Sequence, residues 1–387
     1  MPQWTRLPRS LPLASAGAAL CLLLCLWICT VYLFTIDEAV QQADGPEIGA
    51  HSAELSTAIQ DDQRTVMQVR RCSSGYILRL DASSAGECVP CPNGTFSFPG
   101  WVTCKARLTC DDLARGAVRI LRYLASGAVK HVFLGRIIDG SLPVAYALRS
   151  QHHEDFGHHI AVLRELAPSP RVVQLLGECR DEYVVTQYWK LGNAGELEER
   201  LALREYAAFN TLSVRFGLAM DYVACLVMLH EHDYVMCDGN DVTKLLSQFL
   251  ITDDWRLVVN DLDAAARINV QRDGARAGIK CGKRQLFGGE MIAPEQLWPF
   301  GPAPFNNSRM PAYDEKIDIW RIPPAIHALL GPASLRNTSD VLSQLAGVFA
   351  RCRSRQAAAR PSAVTVWKEM AAVQRKLNLT RLHDMRC

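Results

Sequence analysis

Two short stretches carry carboxylates suited to acid–base and metal chemistry: "YVMCDGND", Tyr234 to Asp241, and "VVNDLDAA", Val258 to Ala265. Asp238 can take a proton from a hydroxyl, which needs only a carboxylate within hydrogen-bond reach. Asp261 suits a hard cation such as Mg²⁺ that bridges nucleotide phosphates, and Asp263 adds a second carboxylate beside it. Gln248 in "SQFLI" offers an amide oxygen to the same metal, from a stem one methylene longer than asparagine. Upstream, "ASGAVKHV" sets Lys130 on a strand leaving a turn that contains Gly127, where a cation can meet phosphate oxygens. Asn240 and Lys244 lie between Asp238 and Gln248; each is a candidate contact to substrate or metal and, more plainly, a loop residue. Together these groups suit phosphoryl transfer from a nucleotide to a hydroxyl.

Such groups need a scaffold of two kinds. "AVRILRYL", "AVKHVFLGRI" and "LPVAYALRS" are short β-rich runs around turns. A helical stretch follows from about His152 to Leu166, then two more strands in "RVVQLLGEC" and "DEYVVTQYW". The expectation is a five-strand sheet with one helix inserted after the third strand. From Thr211 to His232 the pattern turns helical, with Leu218, Tyr222, Leu226 and Leu229 on one buried face. The remainder reads as mostly helical, broken by prolines at Pro299 to Pro304 and again at Pro323 and Pro324. The predicted fold is α+β and bilobal, a small β-rich lobe before a larger helical one.

That order matches the protein-kinase signature in part. "APE" stands at Ala293 to Glu295, Asp318 follows in "DIW", and Arg360 in "RPSA", at the spacing of the residues that hold a kinase's larger lobe together. The cleft residues depart from it. Only Gly127 survives of the glycine-rich loop, with Ala125 and Lys130 at the first and third glycine positions. Val144, Ala145, Tyr146 and Ala147 occupy the V-A-I-K position, so its lysine is missing and Lys130 is the substitute cation, as in the with-no-lysine kinases. Met236, Cys237 and Asp238 stand for H-R-D; with Cys237 in place of the arginine, no activating phosphorylation is expected. Asp261, Leu262 and Asp263 stand for D-F-G. The helix glutamate that normally pairs the lysine falls near His159, with Glu154 and Asp155 a turn earlier, and is left unassigned.

With "VMCDGNDVTKLLSQFLIT", "VVNDLDAA", "APEQLWPFG" and "AYDEKIDIWRIP" in this order, the chain resembles the protein O-mannose kinases within the protein-kinase-like family. The resemblance runs from about Cys91 to near the C-terminus. It implies a single-pass type II enzyme of the endoplasmic reticulum membrane, with a luminal catalytic domain. The implied reaction moves phosphate from ATP, with Mg²⁺ or Mn²⁺, to the 6-hydroxyl of mannose. The acceptor is the GalNAc–GlcNAc–mannose trisaccharide of α-dystroglycan, a step toward extension of its laminin-binding glycan. It makes Asp238 the base, Asp261 and Gln248 the metal ligands, and Lys130, with Gly127, the phosphate contact. Ala125 in place of the first loop glycine is a departure that stiffens the expected lid over ATP.

The wider composition agrees. Net charge of +2 over 387 residues gives no electrostatic drive toward nucleic acid. No charge occurs from Leu11 to Ile36, with Arg6 and Arg9 before and Asp37 and Glu38 after. This predicts a signal-anchor over 16–36, a cytosolic tail at 1–15 and a luminal stem at 37–71; a cleaved signal peptide is the competing reading. A Cys-rich extension at 72–110 and a kinase-like domain at 111–387 complete the plan. Of 14 cysteines, 11 lie beyond the apolar span, an odd number that leaves at least one free or paired between chains. Their crowding from Cys72 to Cys110 favours disulfides over zinc. Sequons at Asn93, Asn306, Asn337 and Asn378 fit glycosylation. The basic run through Arg267, Arg276 and Lys280 reads as solvated, and Trp298 and Tyr313 as core aromatics. Two other functions stay open: a luminal pseudokinase that binds glycans without turnover, and a luminal kinase of serine or threonine.

Overall fold

The structure, a computed structural model, describes residues 72–379 apart from 81–85, 139–141, 151, 168, 181, 271–275, 283 and 333–336. The expected tail, signal-anchor and stem lie outside the described residues.

The Cys-rich segment folds as two small hairpins and a helical turn. These are β1 (Tyr76–Leu80) with β2 (Gly86–Pro90), β3 (Thr95–Phe96) with β4 (Lys105–Ala106), and α1 (Cys110–Ala114). Disulfides Cys72–Cys88 and Cys91–Cys104 staple the hairpins, and Cys110–Cys179 ties α1 to the sheet behind it. Phe96, Phe98 and partly buried Trp101 pack on Val144, Leu176 and Val185 of that sheet. The cap and the sheet therefore share one apolar cluster.

The sheet has five antiparallel strands: β5 (Val118–Ser126), β6 (Lys130–Ile137), β7 (Leu142–Arg149), β8 (Leu175–Cys179) and β9 (Tyr183–Gln187), ordered β5-β6-β7-β9-β8. The inserted helix is α2 (His153–Leu166), after the third strand as expected. Phe156, Ile160, Leu163 and Leu166 recur at helical spacing and are all buried.

The larger lobe follows a short helix, α3 (Leu197–Ala202), and is built around α4 (Leu212–Glu231). Thr211 caps α4 by accepting from the Val214 amide at 3.3 Å. The expected buried face is too narrow a description of this helix. Phe216, Ala219, Val223 and Cys225 are as buried as Leu218, Tyr222, Leu226 and Leu229, because α4 is covered all round. Its two buried charges are paired: Arg215 with Glu198 at 2.6 Å and Asp221 with Arg171 at 3.0 Å.

After α4 come β10 (Tyr234–Met236), α5 (Val242–Leu246), β11 (Phe249–Ile251), β12 (Leu257–Val259), β13 (Ala265–Arg267), β14 (Asn269–Val270) and β15 (Arg276–Ala277). Three helices close the lobe: α6 (Lys316–Leu330), α7 (Thr338–Cys352) and α8 (Ala363–Lys376). The break expected at Pro323 and Pro324 does not occur; both lie inside α6 and are buried. An interior proline orphans the carbonyl four residues earlier. Here the Trp320 carbonyl opposite Pro324 accepts from Arg353 Nη1 at 3.1 Å, which replaces one of the two helical bonds that the prolines remove.

The residues that the motif spacing marks as holding the larger lobe together are all engaged in it. Arg360 reaches both oxygens of Glu295, at 2.5 and 2.8 Å. Asp318 accepts from the Met236 amide at 3.1 Å and from Arg321 at 3.3 Å, and Arg321 in turn donates to the Met236 carbonyl. Met236, two residues before Asp238, is thus gripped on both backbone groups. A β-sheet lobe followed by a helical lobe is the kinase-like arrangement.

Candidate active site

Lys130 opens β6, and its pairing with Arg149 on β7 fixes its register. Its side chain turns inward: the residue is 9% exposed, and Nζ lies 2.5 Å from Asp261 Oδ1 and 3.9 Å from Asp263 Oδ2. Ala147, at the position where the kinase signature has its lysine, pairs with Val132 and is buried, so the cation comes from one strand over.

Asp261 is pinned from below. Its amide and that of Asn260 both donate to the Gln248 carbonyl, at 3.1 and 2.8 Å. Gln248 is buried; its Nε2 donates to the Lys244 carbonyl at 3.0 Å, while Oε1 takes no hydrogen bond among the described residues. The amide oxygen is thereby left for another ligand. Burial works against charge on Asp261, but Lys130 outweighs it and holds the carboxyl below its usual range. Asp263 goes the other way, raised first by burial and then by the charge of Asp261.

His159 stands where the helix glutamate was sought. It is buried, and its Nδ1 accepts from the Leu262 amide at 3.3 Å. Burial, with Lys130 next, lowers its pKa to about 3, so the ring is a neutral acceptor and not a counter-ion. The lysine's counter-ions are instead Asp261 and Asp263.

Asp238 follows β10, and its Oδ2 receives Lys244 Nζ at 2.8 Å. Lys244 sits on α5, whose N-cap Asp241 accepts from the Lys244 amide at 2.7 Å. Burial lowers the lysine's pKa, but Asp238, with Asp261 and Asp263 behind it, raises it further. One short helix thus links Asp238, through the Lys244 side chain, to Gln248, through the Lys244 carbonyl. A Cβ at Gly239, the next position, would stand 2.8 Å from Leu245 Cδ1 and displace that side chain.

Cys237 is not free: it is bonded to Cys281, joining the residue before Asp238 to the segment between Asp261 and Glu295. The Cys281 amide donates to Tyr313 Oη at 2.6 Å, and Ile279 pairs with Tyr313. A covalent bond therefore stands where a kinase uses its H-R-D arginine. Cys225 and Cys352 are free and buried, and Cys387 lies outside the described residues.

The structure brings Lys130, Asp261, Asp263 and His159 together, and sets Asp238, Lys244 and Gln248 on the loop beside them. Gly127 is at the tip of the β5–β6 turn, donating to the Lys130 carbonyl at 2.9 Å. Asn240 is exposed and makes no side-chain hydrogen bond among the described residues. Lys244, expected from the sequence to be an ordinary loop residue rather than a contact, is the direct partner of Asp238.

The donor set fits a hard dication. Two carboxylates crowd one lysine, and Gln248 Oε1 is unclaimed. Among the described residues no group of three His, Cys, Asp or Glu could hold a metal alone. That suits Mg²⁺, which takes one or two carboxylates and completes its shell with phosphate and water.

A β-lobe and helical lobe with an inward lysine on a D-F-G-like aspartate define a kinase-like phosphotransferase. The chain matches no protein-family model. It is 39% identical over 299 residues to the protein O-mannose kinase of Gallus gallus, covering 75% of this chain and 82% of that one. It is 39% identical over 281 residues to that of Homo sapiens, covering 71% and 78%. To that of Xenopus laevis it is 34% identical over 333 residues, covering 83% and 92%. The chain belongs to the protein O-mannose kinase family. As a kinase it uses ATP and a divalent metal.

Proposed function

We propose that the chain transfers the γ-phosphoryl group of ATP to the 6-hydroxyl of an O-linked mannose. We take the acceptor to be the GalNAc–GlcNAc–mannose trisaccharide of α-dystroglycan, and the product to serve extension of the laminin-binding glycan. The observation that carries the reading is the Lys130–Asp261 contact at 2.5 Å, which sets a phosphate cation against a metal carboxylate in the absence of the usual lysine.

In this reading Asp238 Oδ1, which takes no hydrogen bond among the described residues, accepts the hydroxyl proton, while Lys244 fixes the carboxylate by its other oxygen. Lys130 moves its charge onto phosphate oxygens as nucleotide enters. Asp261 and Gln248 would hold the metal, which when bound would neutralise phosphate charge. Asp263 lies within reach of the same cation, and Gly127 lets the β5–β6 turn approach nucleotide. Asn240, exposed on the loop after Asp238, is assigned in this reading to the acceptor side.

Four disulfides support a catalytic domain in an oxidising compartment. With the apolar stretch from Leu11 to Ile36, they favour a type II protein anchored in the endoplasmic reticulum membrane. The test offers the full-length protein ATP, Mg²⁺ and either a GalNAc–GlcNAc–mannose glycoside or a serine peptide, with products mapped by NMR and mass spectrometry. The proposal expects phosphate at the mannose 6-position alone. Phosphoserine, or phosphate on another sugar, would refute it.

A further inference from the structure

A cavity of about 680 Å³ lies outside this site. It is walled by the cap (Ser74, Asn93 and Arg107), by the α2–β8 connection, by Trp189 just after β9, and by the β11–β12 turn through Asp253. None of Lys130, His159, Asp238, Gln248 and Asp261 lines it. Its size falls within the usual range for small-ligand pockets.

The chemistry of its wall is selective. Trp189 Nε1, Arg107 Nε and Ser74 Oγ are buried polar atoms with no hydrogen-bond partner among the described residues. Leaving a buried donor without a partner is destabilising, so each of these atoms favours a ligand that bonds it. Few other charges remain uncommitted. Arg171 and Arg256 both pair with Asp221, at 3.0 and 3.4 Å, and Asp254 accepts from Thr252 Oγ1 at 2.5 Å. Asp253 is left with no hydrogen bond or ion pair to the described residues. The remaining free groups are thus donors and acceptors in near balance, set beside an indole.

An anion would find only Arg107, whose guanidinium already feels the charge of Glu178. An apolar ligand would leave the orphaned donors unmet. A ligand with many hydroxyls and an apolar ring face satisfies both parts of the wall. One rim residue points to the same chemistry: Asn93, with Gly94 and Thr95, forms an N-glycosylation sequon, and it lines the cavity.

We propose that this cavity is a carbohydrate-binding site, separate from the phosphoryl-transfer cleft, that takes a short neutral saccharide. Trp189 provides the ring face and an N–H donor, Arg107 and Ser74 further polar contacts, and Asp253 an acceptor at the rim. The saccharide comes either from the chain's own N-glycan at Asn93 or from a glycan on another molecule.

The test titrates full-length protein with N,N′-diacetylchitobiose, followed by saturation-transfer NMR and tryptophan fluorescence. Wild type and Asn93→Gln are compared, and Asn93→Gln is combined in turn with Asp253→Ala and Trp189→Phe. The Asn93→Gln protein is expected to bind, and each added substitution to weaken binding about tenfold, the loss of one good hydrogen bond. Wild type that binds as well as Asn93→Gln supports the site with an external glycan as ligand. Binding by Asn93→Gln but not by wild type supports it with the protein's own glycan in place. No binding to Asn93→Gln, or binding that neither added substitution weakens, overturns the proposal. Unchanged phosphoryl transfer by Asp253→Ala separates loss of this site from loss of the fold.

Discussion

Lys244 Nζ lies 2.8 Å from Asp238 Oδ2, so the carboxylate proposed as base is held by a residue of the helix that follows it. The contact joins the two ends of the loop, because the Lys244 carbonyl also receives Gln248 Nε2 at 3.0 Å. Orientation of the base and placement of the amide ligand are therefore set by one residue.

Lys244→Ala is expected to lower kcat by about 10²-fold, the cost of misplacing a reacting group by about 1 Å. The KM for ATP should change little, and Lys244→Arg should recover much of the rate. Steady-state kinetics on the three proteins decides this. An unaltered kcat in Lys244→Ala would show that the ion pair positions nothing.

The Cys237–Cys281 bond spans a sequence separation of 44 residues and anchors the segment after Asp261 to the residue beside the base. Replacing both cysteines by serine should lower the unfolding free energy by about 2–4 kcal/mol. It should also reduce kcat, since Cys237 adjoins Asp238. Urea denaturation with a parallel activity assay provides both readings. A double variant with the wild-type midpoint and rate would make the bond incidental.

His159 has its pKa lowered to about 3 from 6.5, by burial and then by Lys130. Between those values the unfolded chain binds a proton that the folded chain refuses. The stability linked to His159 is therefore complete above about pH 6.5 and falls with pH, by about 1.4 kcal/mol per unit. Lowering the pH from 6.5 to 5 should cost about 2 kcal/mol through this residue. His159→Gln should remove that part of the slope, read from urea midpoints at the two pH values. Parallel slopes in variant and wild type would contradict it.

The two lobes, the position of α2 and the Glu295–Arg360 pair were legible in the sequence because each rests on local pattern or on motif spacing. Lys130 was legible for a similar reason, since the missing lysine at Ala147 left a vacancy that a nearby cation could fill. Lys244 was harder to place, because its partner depends on how the loop between Asp238 and Gln248 winds into α5. Counting placed His159 near the helix-glutamate position, but its neutral role follows from burial, which residue type does not encode. The Cys237–Cys281 pairing needed the fold to bring distant residues together. Pro323 and Pro324 misled for the opposite reason: local propensity predicts a break, and a tertiary contact from Arg353 replaces one of the two lost helical bonds.

The most direct test of the account is phosphoryl transfer to the mannose glycoside by wild type, Asp238→Asn and Lys130→Ala at saturating ATP and Mg²⁺. Removing the base should cost about 10²–10⁴-fold in kcat, and removing Lys130 should abolish measurable transfer. Should Lys130→Ala keep the wild-type rate, the cation on β6 is not the phosphate contact and the reading of this cleft is wrong.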